Sequence, residues 1–186
     1  MNLFTIDRVY EASYEIKRSE FLSFLVPIER FDEVYDRLKK EHKKANHIVW
    51  AKRFLNEFDQ IVENSTDDGE PKGTSGVPSL NVLRGEGLIN AGVLIVRYFG
   101  GIKLGTGGIA RAYSEAVKEV LREAKLLPYE KREILEFETS YKDVQKIEYF
   151  LRNLDVDFKD RVFKETGVLW RVEVSKEQKE KIEKFL

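Results

Sequence analysis

Residues 93–114 read VLIVRYFGGIKLGTGGIARAYS, and this stretch contains the clearest strand signal and the clearest helix signal of the chain. Its first four residues are a continuous apolar run, which is typical of a strand buried on both faces. From Thr106 onward apolar residues recur at helical spacing, and Thr106 is a candidate N-cap. The stretch therefore predicts a buried strand, a glycine-rich turn and an amphipathic helix, within a parallel or mixed sheet.

The glycines of the chain are concentrated around this stretch. Eleven of the twelve lie between Gly69 and Gly108, and only Gly167 lies outside. Glycine is selected where φ must be positive or where a ligand or a second backbone comes close. We therefore expect the functional surface in this part of the chain.

The remaining patterns predict two domains. Pro128 disfavours helix at Leu127 and marks the boundary, which gives domains of residues 1–127 and 128–186. In the first domain, apolar patterning predicts strands at 9–16, 21–28, 47–55 and 60–63 and a surface helix that includes 31–38. In the second domain it predicts a βαββα order, with elements at 132–141, 142–154, 156–163, 168–174 and 176–185. Such a sheet has three strands and an exposed edge.

Composition excludes several classes of protein. The 186 residues are 42% hydrophobic, enough for packed cores, and contain no cysteine. Disulfides, thiolate nucleophiles and sulfur-ligated zinc are thereby excluded. No apolar run approaches the roughly 20 residues that span a bilayer. The first residues also lack the order of a secretion signal. We therefore expect a cytoplasmic protein without membrane contact.

Charge gives no global attraction to polyanions, because 32 Lys and Arg stand against 33 Asp and Glu. Binding to nucleic acid must therefore be local. Locally, Arg97, Lys103 and Arg111 have no acidic residue near them between Ala91 and Ala112. The amides and dipole at the start of the predicted helix add to this positive character.

These features predict an anion- or nucleic-acid-binding site with an acidic loop beside it. The binding residues are Arg97, Lys103, Gly105, Thr106, Gly107, Gly108 and Arg111, and those of the acidic loop are Asp67, Asp68, Gly69, Glu70, Gly73 and Thr74. The glycine spacing matches neither the P-loop nor the dinucleotide-binding motif. The sequence thus gives no support to nucleotide hydrolysis.

Two segments resemble the signature of the IMPACT/YigZ family. They read DDGEPKGTSGVP at 67–78 and RYFGGIKLGTGGIARAYS at 97–114, with looser similarity at 17–22 and at His47 and Trp50. The resemblance covers most of residues 15–125. Small departures occur at Glu20, Ser75 and Ile109.

The resemblance implies an α+β fold with an N-terminal domain similar to ribosomal protein S5 domain 2 and a ferredoxin-like C-terminal domain. It implies contact with components of the translation machinery, and together with the predicted anion site it makes RNA, the ribosome or a translation factor the expected partner. It assigns no catalytic residue, no metal and no cofactor, and it leaves the oligomeric state open.

Other interpretations of the charged residues are compatible with the sequence. Arg97 and Arg111 are candidates to pair with the carboxylates of the acidic loop, and these carboxylates are candidate magnesium ligands, although such loops more often pair with arginine. Ser75 or Thr74 beside His47 is a candidate nucleophile and base, without support from spacing.

Three functions follow from these interpretations. The first is a non-catalytic binding or regulatory protein with a glycine-rich anion-binding groove. The second is an enzyme acting on a phosphorylated small molecule, and the third is an adaptor that pairs through its open sheet edge. We further expect Phe99 and Tyr113 in the core and His42 in solvent.

Overall fold

The computed structural model describes residues 2–186, which form a mixed α/β structure of two compact units. The first unit ends at Tyr129 and the second is Glu130–Leu186. The short strand Leu127–Pro128 pairs with Phe4–Thr5 and so belongs to the first unit. No helix within residues 2–186 has the length and apolarity to cross a membrane.

A five-stranded sheet is the centre of the first unit, and every neighbouring pair in it is antiparallel. Its strands are β2 (Tyr10–Ile16), β3 (Ser19–Pro27), β4 (His47–Leu55), β5 (Ile61–Thr66) and β6 (Ala91–Tyr98), and the short strands Phe4–Thr5 and Leu127–Pro128 outside it are β1 and β7. Their order across the sheet is β2-β3-β6-β4-β5.

The prediction of a parallel or mixed sheet is wrong, because the five-stranded sheet is antiparallel throughout. Strands β3 and β4 run in the same direction, but β6 lies between them and runs opposite to both. The apolar run at 93–96 indicated burial on both faces, which a central antiparallel strand shares with a parallel one. Strand direction therefore was not contained in that pattern.

Helices cover both faces of this sheet. Helix α1 (Phe31–Glu41) packs on one face through Phe31, Val34 and Leu38. Helices α2 (Gly76–Gly85) and α3 (Gly105–Glu123) pack on the other face, where Tyr113 is fully buried. A 3-10 turn at Ile28–Arg30 precedes α1.

Two helix starts differ from the sequence expectation. Helix α2 was not predicted, because Gly76 and Pro78 look like loop residues. Pro78 is nevertheless tolerated in the first turn, where backbone N–H groups have no partner within the helix. The N-cap of α3 is Leu104, so Thr106 lies inside the first turn and does not cap the helix.

The second unit is a three-stranded antiparallel sheet with two helices, in the order β8-β10-β9. Its core surrounds the fully buried Trp170. On the opposite sheet face Arg171 pairs with Glu136 at 3.1 Å and Lys159 with Glu173 at 2.9 Å, so charge there is largely balanced. The elements are β8 (Arg132–Thr139), α4 (Val144–Asn153), β9 (Phe158–Phe163), β10 (Val168–Ser175) and α5 (Lys176–Phe185), with a 3-10 turn at Tyr141–Asp143.

Candidate anion-binding site

Asp67 organises the loop between β5 and α2. One carboxylate oxygen accepts hydrogen bonds from the amides of Gly76 (2.9 Å) and Ser75 (3.2 Å), and the other accepts from Gly73 (2.9 Å). Burial by itself raises the pKa of Asp67, but these three amides outweigh it, and the net effect is a lowered pKa. Asp67 therefore stabilises the start of α2 as a carboxylate.

Asp68 and His47 join this loop to β4. The Asp68 carboxylate accepts a hydrogen bond from the Ile48 amide at 2.7 Å. The Asp68 carbonyl oxygen lies 2.7 Å from Nδ1 of His47, and because a carbonyl only accepts, Nδ1 is the donor. The His47 ring also lies against Gly69, since a Cβ at Gly69 would be 3.5 Å from Nδ1.

Glu70 is the centre of a buried polar cluster. Its residue is only 7% exposed, and its Oε1 atom forms an ion pair with Nη1 of Arg97. The Tyr113 hydroxyl donates to the same oxygen at 3.1 Å, and Nε2 of His47 lies 3.4 Å away. Since Arg97 is also buried, at 4% exposure, the pair links β6 to the acidic loop in the interior.

The cluster leaves Arg97 incompletely satisfied. Its Nη2 reaches Ser19 Oγ at 3.4 Å, and the guanidinium lies over the rings of Phe21 and Phe99. Nε of Arg97 is the one buried side-chain nitrogen or oxygen of residues 2–186 without a hydrogen-bond partner. Tyr113 is kept neutral, because burial and then the Glu70 charge raise its pKa.

Thr74 and Ser75, the last two residues of this loop, are buried, which argues against the candidate nucleophile. The Thr74 hydroxyl donates to the Pro71 carbonyl at 2.5 Å and lies 3.1 Å from Ser75 Oγ. Ser75 is fully buried, and Thr74 is nearly so. Neither hydroxyl is available to a substrate.

Two glycines shape the turn before α3. A Cβ at Gly100 would overlap the carbonyl oxygen of Arg18, so only glycine allows the β2–β3 turn to approach here. Gly105 has φ of +73°, in the left-handed region that favours glycine. The start of α3 is thus held beside the end of β6.

The exposed cations of the predicted site remain unpaired. Within residues 2–186 no carboxylate forms an ion pair with Lys103 or Arg111, both of which are exposed. Arg111 lies over Gly107, where a Cβ would be 3.2 Å from its Nη1. The first turn of α3 contains no acidic residue, so the helix dipole adds to this positive potential.

A pocket of about 370 Å³ opens between these elements. It brings together the predicted residues Arg97, Lys103, Gly105 and Thr106, whereas Gly107, Gly108 and Arg111 do not line it. The lining residues that sequence reasoning left out of the site are Asn46, His47, Pro71, Phe99, Leu104 and Ile109. The expectation that Phe99 is core is wrong, because its residue is 47% exposed at the pocket.

A second groove, of about 650 Å³, lies beside α1. Its charged lining residues are Glu11, Arg37 and Glu41, so it offers an anion no excess of positive charge. His42 also lines this groove and is half-buried, with Nδ1 2.7 Å from the Tyr98 hydroxyl, which corrects its expected exposure to solvent.

Metal ligation receives no geometric support. The carboxylates of Asp67 and Asp68 accept backbone amides, and that of Glu70 pairs with Arg97. Across residues 2–186, no group of three or more His, Asp or Glu side chains is arranged to hold a metal ion.

The residues of this site fall within a recognised sequence family. The family model described as the Impact N-terminal domain matches residues 17–121, which is more than half of the chain. This chain belongs to the IMPACT family. The IMPACT family member YvyE of Bacillus subtilis is 36% identical over 152 residues, which cover 80% of this chain and 69% of that protein.

Other IMPACT relatives match over a shorter part. The family member of Haemophilus influenzae is 40% identical over 111 residues, which cover 58% of this chain and 54% of the relative's own length. The chain thus spans only about half of that relative.

A solved structure extends the similarity to nearly the whole chain. The crystal structure of a protein described only as hypothetical has a TM-score of 0.68 at 28% identity, covering 99% of this chain and 92% of that one. The two-domain translational regulator Yih1 is 25% identical over 65% of this chain and 47% of its own, with a TM-score of 0.38, too low to indicate a common whole-chain arrangement.

Proposed function

We propose that this IMPACT family member is a binding module that receives a phosphate group of RNA at the start of α3. The observation that carries the proposal is the pair of exposed, unpaired cations Lys103 and Arg111 beside the free amides of that helix. Positive side chains and helix N-termini are the groups that bind phosphate in proteins. From the family resemblance we expect the partner to belong to the translation machinery, as RNA, the ribosome or a translation factor.

The charge of the acidic loop supports this proposal. Glu70 is compensated by Arg97, and Asp67 is surrounded by backbone amides. The carboxylates nearest to the pocket are therefore engaged with partners inside the protein. The charges of Lys103 and Arg111 near the pocket have no ion-pair partner within residues 2–186, and these charges attract a phosphate.

The enzyme alternative is less well supported by the same geometry. A general base must reach its substrate with a free lone pair. Glu70 is almost completely buried and its Oε1 already receives Arg97 and Tyr113. We therefore favour binding over catalysis on a phosphorylated small molecule.

We also propose a fold type for each of the two units, as the family resemblance implies. The order β8-β10-β9, with the helix α4 between β8 and β9, supports a ferredoxin-like unit that lacks a final strand. We likewise propose that the first unit is similar to ribosomal protein S5 domain 2.

The experiment is binding of fluorescent single-stranded RNA across a salt series. Each phosphate contact contributes about 0.7 to the slope of log affinity against log salt for a single strand. We expect Lys103→Ala and Arg111→Ala each to reduce the slope by about that amount. Lys118→Ala is the matched control, because Lys118 is an exposed lysine farther along α3.

Arg97→Ala is unsuitable as a binding probe. It leaves the buried Glu70 charge without its partner, which typically costs about 3–5 kcal/mol of stability. The proposal is overturned if the unaltered protein binds no RNA at low salt, or if the Lys103 and Lys118 variants have the same slope.

A further inference from the structure

We propose that the pocket beside Phe99 receives one unstacked base of the bound RNA, next to the phosphate held by Lys103. This inference rests on the proposed function and names the part of RNA that is recognised. It predicts a preference for strands with accessible bases over the sugar-phosphate backbone alone.

The first argument is the position of Phe99. Its residue is 47% exposed directly after β6, a strand whose residues 91–97 are all buried. The Phe99 amide donates to Oδ1 of Asn46 at 2.9 Å, which holds the backbone in place. The Arg97 guanidinium lies 5.8 Å from the ring centroid. An exposed ring supported by a cation is a suitable surface for stacking a base.

The second argument is the mixture of groups around the pocket. Leu104, Ile109 and Pro71 supply apolar surface, which contributes nothing to binding a phosphate alone. Lys103 and Thr106 supply polar groups to the same pocket. A ligand with a flat apolar part and an attached phosphate matches both, and a nucleotide of RNA is such a ligand.

The third argument is the hydrogen-bonding capacity of two further residues that line the same pocket. The Oδ1 atom of Asn46 is occupied by the Phe99 amide, which leaves the Asn46 NH₂ group to donate to a base. Arg97, whose buried Nε lacks a partner, also lines the pocket. The volume of about 370 Å³ lies within the range of about 300–1,000 Å³ usual for small-ligand sites.

Duplex RNA does not present this ligand. Its bases are stacked and paired, and sequence-specific recognition of RNA generally uses bases that are already splayed out. The pocket therefore favours single strands, loops and ends. Phosphate contacts from Lys103 and Arg111 remain available to either form.

The test compares two single-stranded RNA probes of equal length and charge. One carries bases, and the other carries abasic ribose at every position. A stacked base is worth about a 5- to 150-fold change in affinity. We expect the abasic probe to bind more weakly by a factor in this range, with an unchanged salt slope.

Variants of the protein locate the effect. We expect Phe99→Ala to remove most of the difference between the probes, without changing the salt slope. Phe58→Ala is the matched control, because Phe58 is an aromatic residue at 73% exposure in the β4–β5 turn. Unfolding in urea checks that both variants remain folded. The abasic comparison with the unaltered protein does not depend on any variant.

The outcomes separate this inference from the proposed function. If both probes bind equally, or if Phe99→Ala behaves as Phe58→Ala does, the base pocket is overturned and phosphate binding stands. If neither probe binds at low salt, the proposed function fails and the base pocket fails with it.

Discussion

Single side chains in the acidic loop have different tasks, although they are close in sequence. The Asp67 carboxylate accepts three backbone amides, the Asp68 carboxylate accepts one, and the Glu70 carboxylate is buried against Arg97. The Asp68 backbone carbonyl in addition accepts a hydrogen bond from His47. Of the two arginines that were candidates to pair with the acidic loop, Arg97 forms an ion pair with Glu70, and Arg111 forms none with the loop. The loop is therefore a structural support, and the unpaired cations Lys103 and Arg111 lie outside it.

Asp67 makes the stability of the protein depend on pH. Because its pKa is lowered by folding, its contribution is complete above the ordinary aspartate pKa of about 3.9 and is lost as pH falls through the lower folded value. We expect Asp67→Asn to cost about 1–3 kcal/mol at pH 7, since a charged acceptor of three amides is lost. Urea unfolding of both proteins from pH 7 downward measures this difference.

The difference between the two proteins should shrink as pH falls below about 3.9. Asp7→Asn is the control, because Asp7 is exposed and should change stability by less than about 0.5 kcal/mol. A difference that stays constant as the solution is acidified would contradict the role of the charge.

Among the secondary-structure elements, the turn after β6 decides the geometry of the pocket. Gly100 allows the Arg18 carbonyl of the β2–β3 turn to approach the backbone there. The same turn leads through Gly105 into α3, which places Lys103 beside Arg97 at one pocket. Gly100 is thus explained by a close approach between elements and Gly105 by its positive φ, and both position the lining of the candidate site.

We expect Gly100→Ala to destabilise the protein by about 1–3 kcal/mol, because the new methyl group overlaps the Arg18 carbonyl. Gly85→Ala is the matched control. Gly85 is the last residue of α2, with nothing within 4 Å of a Cβ, and alanine there should stabilise by up to about 1 kcal/mol. Urea midpoints of the two variants measure both effects, and equal midpoints would refute the close-approach argument.

In the molecule as a whole, the candidate site belongs to one unit. All residues of the pocket lie before Tyr129, and the first unit has two core clusters of its own. The second unit has a separate core around Trp170 and a sheet face whose charges are paired. The two edge strands β8 and β9 remain the surfaces on which the adaptor alternative depends, with Ile134 of β8 and Phe163 of β9 exposed.

A chain ending at Tyr129 should therefore fold and bind RNA. We expect cooperative unfolding in urea and the same salt slope as the full chain, because the cations and the pocket are retained. The measurement is the binding of fluorescent single-stranded RNA by the shortened chain across the same salt series. Loss of binding by a shortened chain that still unfolds cooperatively would assign part of the RNA surface to the second unit.

Much of this protein is encoded in local sequence patterns. Apolar periodicity correctly predicted strands β2, β3, β4 and β6 and helices α1 and α3, because burial on one face or both leaves its period in the residues. The two glycine-rich motifs identified the family, now confirmed by the match at residues 17–121. Arg97, Lys103, Gly105 and Thr106, selected from local charge and glycine content, line one pocket, and their role in binding stays a prediction.

Other properties depended on contacts between distant residues. The antiparallel direction of β6, the capping of α2 by Asp67 and the exposure of Phe99 have no local period, since each depends on which segment lies alongside. The same holds for His47 and Asn46, which approach the pocket from β4 and the residue before it. The sequence shows which residues are charged, but it does not show which charges form ion pairs, because an ion pair requires two groups to meet in space. Only the folded structure buries Arg97 with Glu70 and, among the described residues, leaves Lys103 and Arg111 without an ion pair.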